Sequence, residues 1–203
     1  MNTKAIFNIS YGLYVLTAKE GEKENGCIIN TLQQVTEKPL AITVTVNKQN
    51  LTHDMILRTG KFNVSLLSTA CAFDVFKHFG FQSGRDVDKF ADYPDVVRSE
   101  NGIPYLTKGT NAYVSAEVFQ TVDLGTHTIF FAKVTDADVL SEDPSLTYAY
   151  YHEHVKPKPG AEEAKTKGYR CKVCGYVYEG DPLPEDFICP WCKHGIEDFE
   201  KIV

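Results

Sequence analysis

Two Cys-x-x-Cys elements near the C-terminal end constrain this chain more than any other feature. They read Cys171-Lys-Val-Cys174 and Cys189-Pro-Trp-Cys192, with fourteen residues between the pairs. At that spacing four thiolates can meet on one tetrahedral metal ion. A soft four-sulfur set selects zinc or iron over calcium or magnesium. The 37 residues of segment 167–203 need such a metal for stability. Spacing alone leaves two readings open: a zinc ribbon that staples a small domain, or an iron centre that carries electrons. The segment holds five Lys/Arg against seven Asp/Glu, an acidic balance that argues against a nucleic-acid ribbon.

The remaining length suits one larger domain. At 203 residues the chain has room for a domain of about 150 residues with a small appendage. A 43% hydrophobic share is ample for a packed core. A formal net charge of −6 makes a general nucleic-acid binder a poor reading. The start, Met1 to Ser10, has no sustained apolar stretch, so no signal peptide is expected. No run approaches the roughly 18 apolar residues that span a bilayer. A cytoplasmic protein with no membrane partner is expected, and there paired thiols more often bind metal than form disulfides. Cys27, in Cys27-Ile28-Ile29, and Cys71, after Ser68-Thr69-Ala70, read as small buried hydrophobes.

Composition changes near residue 155. Val155 to Lys167 carries two prolines, a glycine and almost no apolar residue, which reads as a linker. The division is 1–152, a linker over 153–166, and 167–203. Strand signals lead in the first part. Leu13–Lys19 and Gly26–Thr31 flank the polar segment Glu20–Asn25 as a hairpin. Leu40–Asn47 alternates with β-branched residues, Phe62–Leu67 follows, and two long strands, Ala112–Asp123 and His127–Asp138, are joined by a turn at Leu124–Thr126. Many strands with turns between them predict a mainly β fold, a closed antiparallel barrel. Helices are short: Thr52–Thr59 with Asn50 as its cap and Gly60 as its stop, Ala72–Phe79, and one over Thr3–Ile9.

Several polar stretches of the first domain suit an anion and an aromatic ring. Asn47-Lys48-Gln49-Asn50-Leu51-Thr52-His53 joins a strand to a helix start, where backbone N–H groups and the dipole favour phosphate. Phe79-Gly-Phe-Gln-Ser83-Gly84-Arg85 adds glycines, a hydroxyl and a permanent guanidinium. Each alone reads equally as a plain cap or loop. Their order, with Tyr11–Thr17, Asn30-Thr31-Leu32-Gln33, Gly60–Ser65 and Gly125–Thr128, resembles the flavin reductase-like family over roughly residues 1–150. The resemblance implies an FMN-binding split β-barrel with a few short helices, usually a homodimer. It implies Asn30, Thr31 and Gln33 against the flavin ring. It implies Asn47, Lys48, Asn50, Thr52 and His53 around the ribityl chain and phosphate, with Ser83, Gly84 and Arg85 closing on the phosphate. The Thr126–His127 corner would receive the nicotinamide of NAD(P)H; a histidine opening a strand is the plainer reading of His127. No Gly-x-Gly-x-x-Gly opens a helix, so the dinucleotide would dock on the flavin itself.

The cysteine segment resembles the rubredoxins. Cys171-Lys-Val-Cys174-Gly-Tyr-Val-Tyr178 and Asp186-Phe-Ile-Cys189-Pro-Trp-Cys192 carry that resemblance over about 37 residues. It implies one iron ion, Fe3+/Fe2+, on Cys171, Cys174, Cys189 and Cys192, held by backbone knuckles and walled by Tyr169, Tyr176, Phe187, Trp191 and Phe199. The gap between the pairs is shorter than in free rubredoxins and nearer the modules attached to rubrerythrins. Lys193 stands where many members carry glycine.

Together the two resemblances imply electron flow from NAD(P)H to FMN, then to iron, then to an external acceptor. Fusions of this kind resemble the high-molecular-weight rubredoxins of anaerobic bacteria. That implies a flavodiiron protein as acceptor, one that reduces nitric oxide or dioxygen in defence against nitrosative stress. Two alternatives stand beside it: a flavin or ferric reductase that works without its tail, and an FMN-binding protein whose zinc ribbon only docks.

Overall fold

β-Branched and aromatic residues are spread through the first 140 residues, and they pair as antiparallel ladders. A computed structural model of the chain describes residues 1–157, 167–172, 175–189 and 195–202. A 3₁₀ turn, Thr3–Asn8, stands where a helix over Thr3–Ile9 is expected. Strands β1 (Tyr14–Glu20) and β2 (Lys23–Ile29) form a hairpin in register from Tyr14↔Ile29 to Glu20↔Lys23. Its turn is tighter than the polar stretch Glu20–Asn25 suggests, with Gly21 at φ 58°. The reason is that the polar residues Lys23, Glu24 and Asn25 continue the ladder, with Glu24 tied to Arg98 and Asn25 turned inward.

Next come β3 (Leu32–Glu37), β4 (Leu40–Asn47), helix α1 (Leu51–Thr59), β5 (Lys61–Leu67) and helix α2 (Phe73–Gly80). A two-stranded ribbon of β6 (Val96–Arg98) and β7 (Pro104–Leu106) precedes the long hairpin of β8 (Thr110–Asp123) and β9 (His127–Val139). Seven strands make one antiparallel sheet in the order β2-β1-β5-β8-β9-β4-β3. Among the described residues no ladder joins β2 to β3, so the barrel is split there rather than closed. Asn30 and Thr31 cross the split, and the Thr31 hydroxyl ties the crossing to the Thr45 carbonyl at 2.7 Å.

Two apolar clusters hold this part together. The barrel interior is filled by Leu16, Val44, Val46, Phe62, Val64 and Phe130, with Met55 and Ile56 of α1 plugging it. The second cluster, with Val15, Phe76, Phe79 and Leu106, covers the other side of β1. Strand β1 is therefore buried on both faces from Val15 to Ala18. Each large side chain buried this way contributes about 1.5–3 kcal/mol relative to exposure. Helix α1 starts where the sequence places its cap, but the Asn50 side chain makes no capping bond. Its end is closed by Gly60, left-handed at φ 68°, whose N–H donates to the Ile56 carbonyl. A helical turn at Tyr148–Tyr150 runs into a π-helix, Tyr151–Val155, which enters the expected linker; residues 158–166 lie outside the described ones.

The cysteine segment forms its own three-stranded antiparallel sheet, β11-β10-β12, from β10 (Gly168–Cys171), β11 (Val177–Tyr178) and β12 (Phe199–Ile202). Phe187 packs on Tyr178 and Phe199, with ring centroids 4.7 and 5.4 Å apart. No helix among the described residues is long and apolar enough to cross a membrane.

Candidate functional site

The loop after α2 faces the β4–α1 junction across a cleft of about 450 Å³. Asn47, Asn50 and Leu51 line one wall, and Ser83, Gly84 and Arg85 another. The junction turns sharply because the Asn47 side-chain oxygen accepts from the Gln49 N–H at 2.9 Å, and the Asn50 N–H donates to the Asn47 carbonyl at 3.0 Å. That turn sets the start of α1 against the cleft, and the first N–H groups of a helix have no helical acceptor. The opposite loop is pinned by its own serine: Ser83 Oγ accepts from the Arg85 N–H at 3.1 Å.

Deeper in the cleft are residues that no local motif marks. Asn25 and Cys27 come from β2, and Lys89 from the segment beyond the loop. Asn25 Nδ2 donates to Thr52 Oγ1 at 2.9 Å, while its buried Oδ1 has no hydrogen-bond partner. A Cβ on Gly84 would come within 1.9 Å of that oxygen, so only glycine fits there. Lys89 is 3% exposed and donates to the carbonyls of Gly26 and Phe79 at 2.9 and 3.0 Å. Burial pulls its ammonium down to about 8. Burial also pushes the Cys27 thiol up, which keeps it protonated and apolar.

The other expected residues lie outside the cleft lining. Lys48 is held by Asp123, its Nζ 2.7 Å from both carboxylate oxygens. Thr52 and His53 are buried on α1. His53 Nε2 is 2.9 Å from Thr128 Oγ1, and its Nδ1 is 3.0 Å from Asp54 Oδ1. Arg85 donates to the other Asp54 oxygen at 2.7 Å. A polar chain therefore runs from Arg85 at the cleft through Asp54 and His53 to the start of β9. Those bonds from His53 and Arg85 hold the Asp54 carboxyl below its usual range. Asn30, Thr31 and Gln33 sit at the split, Gln33 exposed with its amide on the Gln34 carbonyl at 3.2 Å. His127 is half-buried, pairs with Asn47 across β9 and β4, and has Nδ1 2.9 Å from Thr126 Oγ1.

In the small domain Cys171 and Cys189 are 1% and 0% exposed. The Cys171 N–H donates to the Tyr176 carbonyl at 2.8 Å, and its carbonyl accepts from the Gly175 N–H at 2.9 Å. Gly175 takes φ 82°, which a side chain would resist. Cys174, Cys192, Trp191 and Lys193 lie outside the described residues. Two buried sulfurs in a domain this small fit a soft metal ion, because a thiolate without one would carry a buried unpaired charge.

Both regions match known families. Residues 6–158 match the flavin reductase like domain, and residues 169–200 match the rubrerythrin, rubredoxin-like domain. The chain is 43% identical over 230 aligned positions to the high molecular weight rubredoxin of Moorella thermoacetica, which covers 100% of both chains. It is 37% identical to the NAD(P)H ferric-chelate reductase of Archaeoglobus fulgidus, over 78% of this chain and 93% of that one. Among solved structures it resembles the styrene monooxygenase flavin reductase of Pseudomonas putida S12, at 26% identity and a TM-score of 0.59, over 71% of this chain and 90% of that one.

Proposed function

The chain belongs to the flavin reductase-like family and carries a rubredoxin-like domain behind its barrel, which makes it an NAD(P)H-dependent flavoprotein oxidoreductase, and we propose a route for its electrons. FMN in the cleft would supply the hydride acceptor, and one iron ion on Cys171, Cys174, Cys189 and Cys192 would supply a single-electron relay. The carrying observation is the cleft itself, which brings the β4–α1 junction and the Ser83–Arg85 loop onto one cavity.

The chain's own residues divide the work. The start of α1, Asn47, Asn50 and Ser83 bind and orient the phosphate end. Asn30, Thr31 and Gln33 border the ring at the split, fixed by the Thr31–Thr45 bond. His127, steadied by Thr126, lies on the strand end that receives nicotinamide. Cys27, Ile28 and Phe79 keep water from the inner wall. Cys171, fixed by its bonds to Gly175 and Tyr176, would help hold the iron, which would supply one-electron transfer to an outside acceptor. The acceptor is a flavodiiron protein, supported by the resemblance to high-molecular-weight rubredoxins. A second copy of the chain covers the exposed apolar strip of Phe119, Val122 and Leu124 on the β8–β9 hairpin.

Absorption spectra of the full chain before and after NADH test this reading. Flavin bands and a red ferric-thiolate spectrum are expected, both bleaching on NADH. A protein holding zinc and no iron sinks the relay. One second reading has a specific basis, the ferric-chelate reductase relative. A chain ending before Gly168 separates the two: if NADH-driven reduction of the downstream protein survives, the tail is no relay.

A further inference from the structure

Both ring nitrogens of His53 are taken, and the ring is 4% exposed. Nδ1 lies 3.0 Å from Asp54 Oδ1, and a carboxylate only accepts, so Nδ1 carries the proton of that bond. Nε2 lies 2.9 Å from Thr128 Oγ1. The ring also meets Phe130 edge to face, with centroids 5.5 Å apart. Nothing polar on it is left for a ligand, and it is not among the residues lining the cleft. His53 is therefore not the phosphate contact that the resemblance implies. Nor is it a catalytic base. Thr128, His53 and Asp54 line up as a nucleophile, a base and an orienting acid would. Thr128 is 5% exposed, however, and its hydroxyl is closed to substrate.

What the ring does is join. Asp54 gives its other oxygen to Arg85, at 2.7 Å, and Arg85 lines the cleft. Thr128 is the second residue of β9, next to His127. One bond spans 75 positions of chain and the other 31, so no local turn could make either. We propose that His53 is a positioning residue with two ends: through Asp54 it sets Arg85 at the phosphate end of the cleft, and through Thr128 it sets the corner that takes the nicotinamide. The proposal rests on the flavin reading above and deepens it. Burial gives the two bonds their weight, because water does not replace a partner lost from the interior and the freed group must move. Arg85, half-exposed, needs such a hold, since a long side chain left free has more freedom to lose on binding. Its guanidinium has five N–H donors, so the bond to Asp54 leaves others for an anion.

The two ends can be cut one at a time. An asparagine amide nitrogen falls near the Nδ1 position of a histidine and a glutamine amide nitrogen near Nε2, so H53N keeps the Asp54 bond and H53Q keeps the Thr128 bond. Two readouts on the full-length protein follow the two ends. One is the ratio of riboflavin Kd to FMN Kd, by fluorescence titration, since riboflavin lacks the phosphate. The other is KM, at saturating FMN, for whichever of NADH and NADPH turns over faster. H53Q should lower the ratio about fivefold and leave KM near wild type, the size of one lost hydrogen bond. H53N should do the reverse, raising KM about fivefold and keeping the ratio. A histidine that only packs the core would move both readouts together in both variants, or neither, and either result overturns the proposal. A ratio that rises in H53Q means that Asp54 competes with the ligand for Arg85, which overturns it too. If the His53 variants do not fold, T128V decides, with T128S as its control. KM should rise about fivefold in T128V and return in T128S, at an unchanged ratio. A T128V protein with wild-type KM overturns the proposal. A wild-type protein that binds neither flavin sinks the flavin reading itself, a result seen before any variant is compared.

Discussion

The barrel and the cysteine domain reach stability and function by opposite routes. The barrel has two apolar clusters and a site assembled from β2, the β4–α1 junction and the loop beyond α2, segments far apart in sequence. Among its described residues the cysteine domain has a two-residue strand, a three-residue one-turn helix, a few aromatic contacts and two buried cysteines. In the first, the core makes the site possible. In the second, the site stands in for the core, because metal binding is folding free energy in so small a domain.

The largest effect follows from that contrast. Cys189→Ser should strip the metal and unfold residues 167–203, a loss on the scale of the about 10–16 kcal/mol that structural thiolate sites supply. The iron spectrum and protease protection of the tail should vanish while flavin stays bound. Loss of flavin in the same variant would break the comparison. Phe62→Ala is the matching cut in the barrel. Phe62 is fully buried in the interior, so a cost of about 3–5 kcal/mol is expected in denaturant melts. The iron spectrum of that variant should not change, and a shift there would show the domains to be one cooperative unit.

The contrast also explains what could be read from residues alone. The rubredoxin-like domain was legible because its cysteines come as two short local motifs, and residues 169–200 match that family. The barrel's strands were legible from alternation, and β4 falls on the predicted Leu40–Asn47. Edge strands were harder: β3 is polar and exposed along most of its length, so its ladder leaves no apolar signature. The cleft was half legible. Asn47, Asn50 and Ser83 to Arg85 belong to recognisable turns. Asn25 and Lys89 do not, because a polar residue mid-strand and a lysine in a loop look ordinary until the fold buries them. Asp54 was missed for a different reason: pairing Arg85 with Asp54 needs a contact across 31 positions.

Alkali and acid should pull the two regions apart. In the barrel, burial raises Cys71 to about 12 and raises Cys27 as well. A raised thiol contributes stability that is complete below its unfolded value, near 9, and is lost as pH climbs toward the folded value. Lys89 has the opposite sign: lowered to about 8, it adds stability as pH rises from there toward its unfolded value near 10.5. The ligand-free barrel should therefore be most stable near pH 9 and decline above it, as the raised thiols outweigh the one ammonium. The metal domain needs its thiols ionised, so it should fail on the acid side as protons displace metal. Denaturant melts read at the flavin and at the iron, over a pH series, would show the two opposed slopes. Parallel slopes would erase the distinction.

The smallest effect gives the sharpest version of the comparison. Gly60 and Gly175 both hold positive φ, 68° and 82°, and a Cβ on either would meet nothing within 4 Å. Alanine at each position therefore costs backbone strain and little else, about 1 kcal/mol. The same cost should appear in different measurements. In Gly60→Ala it is spread over the barrel's core and lowers the melting temperature by a few degrees, with flavin and iron binding unchanged. In Gly175→Ala it falls on a domain whose folding is its metal binding, so it should appear as a roughly fivefold weaker metal affinity measured by chelator competition. If Gly175→Ala instead lowers a melting temperature while metal affinity holds, the small domain has a core of its own.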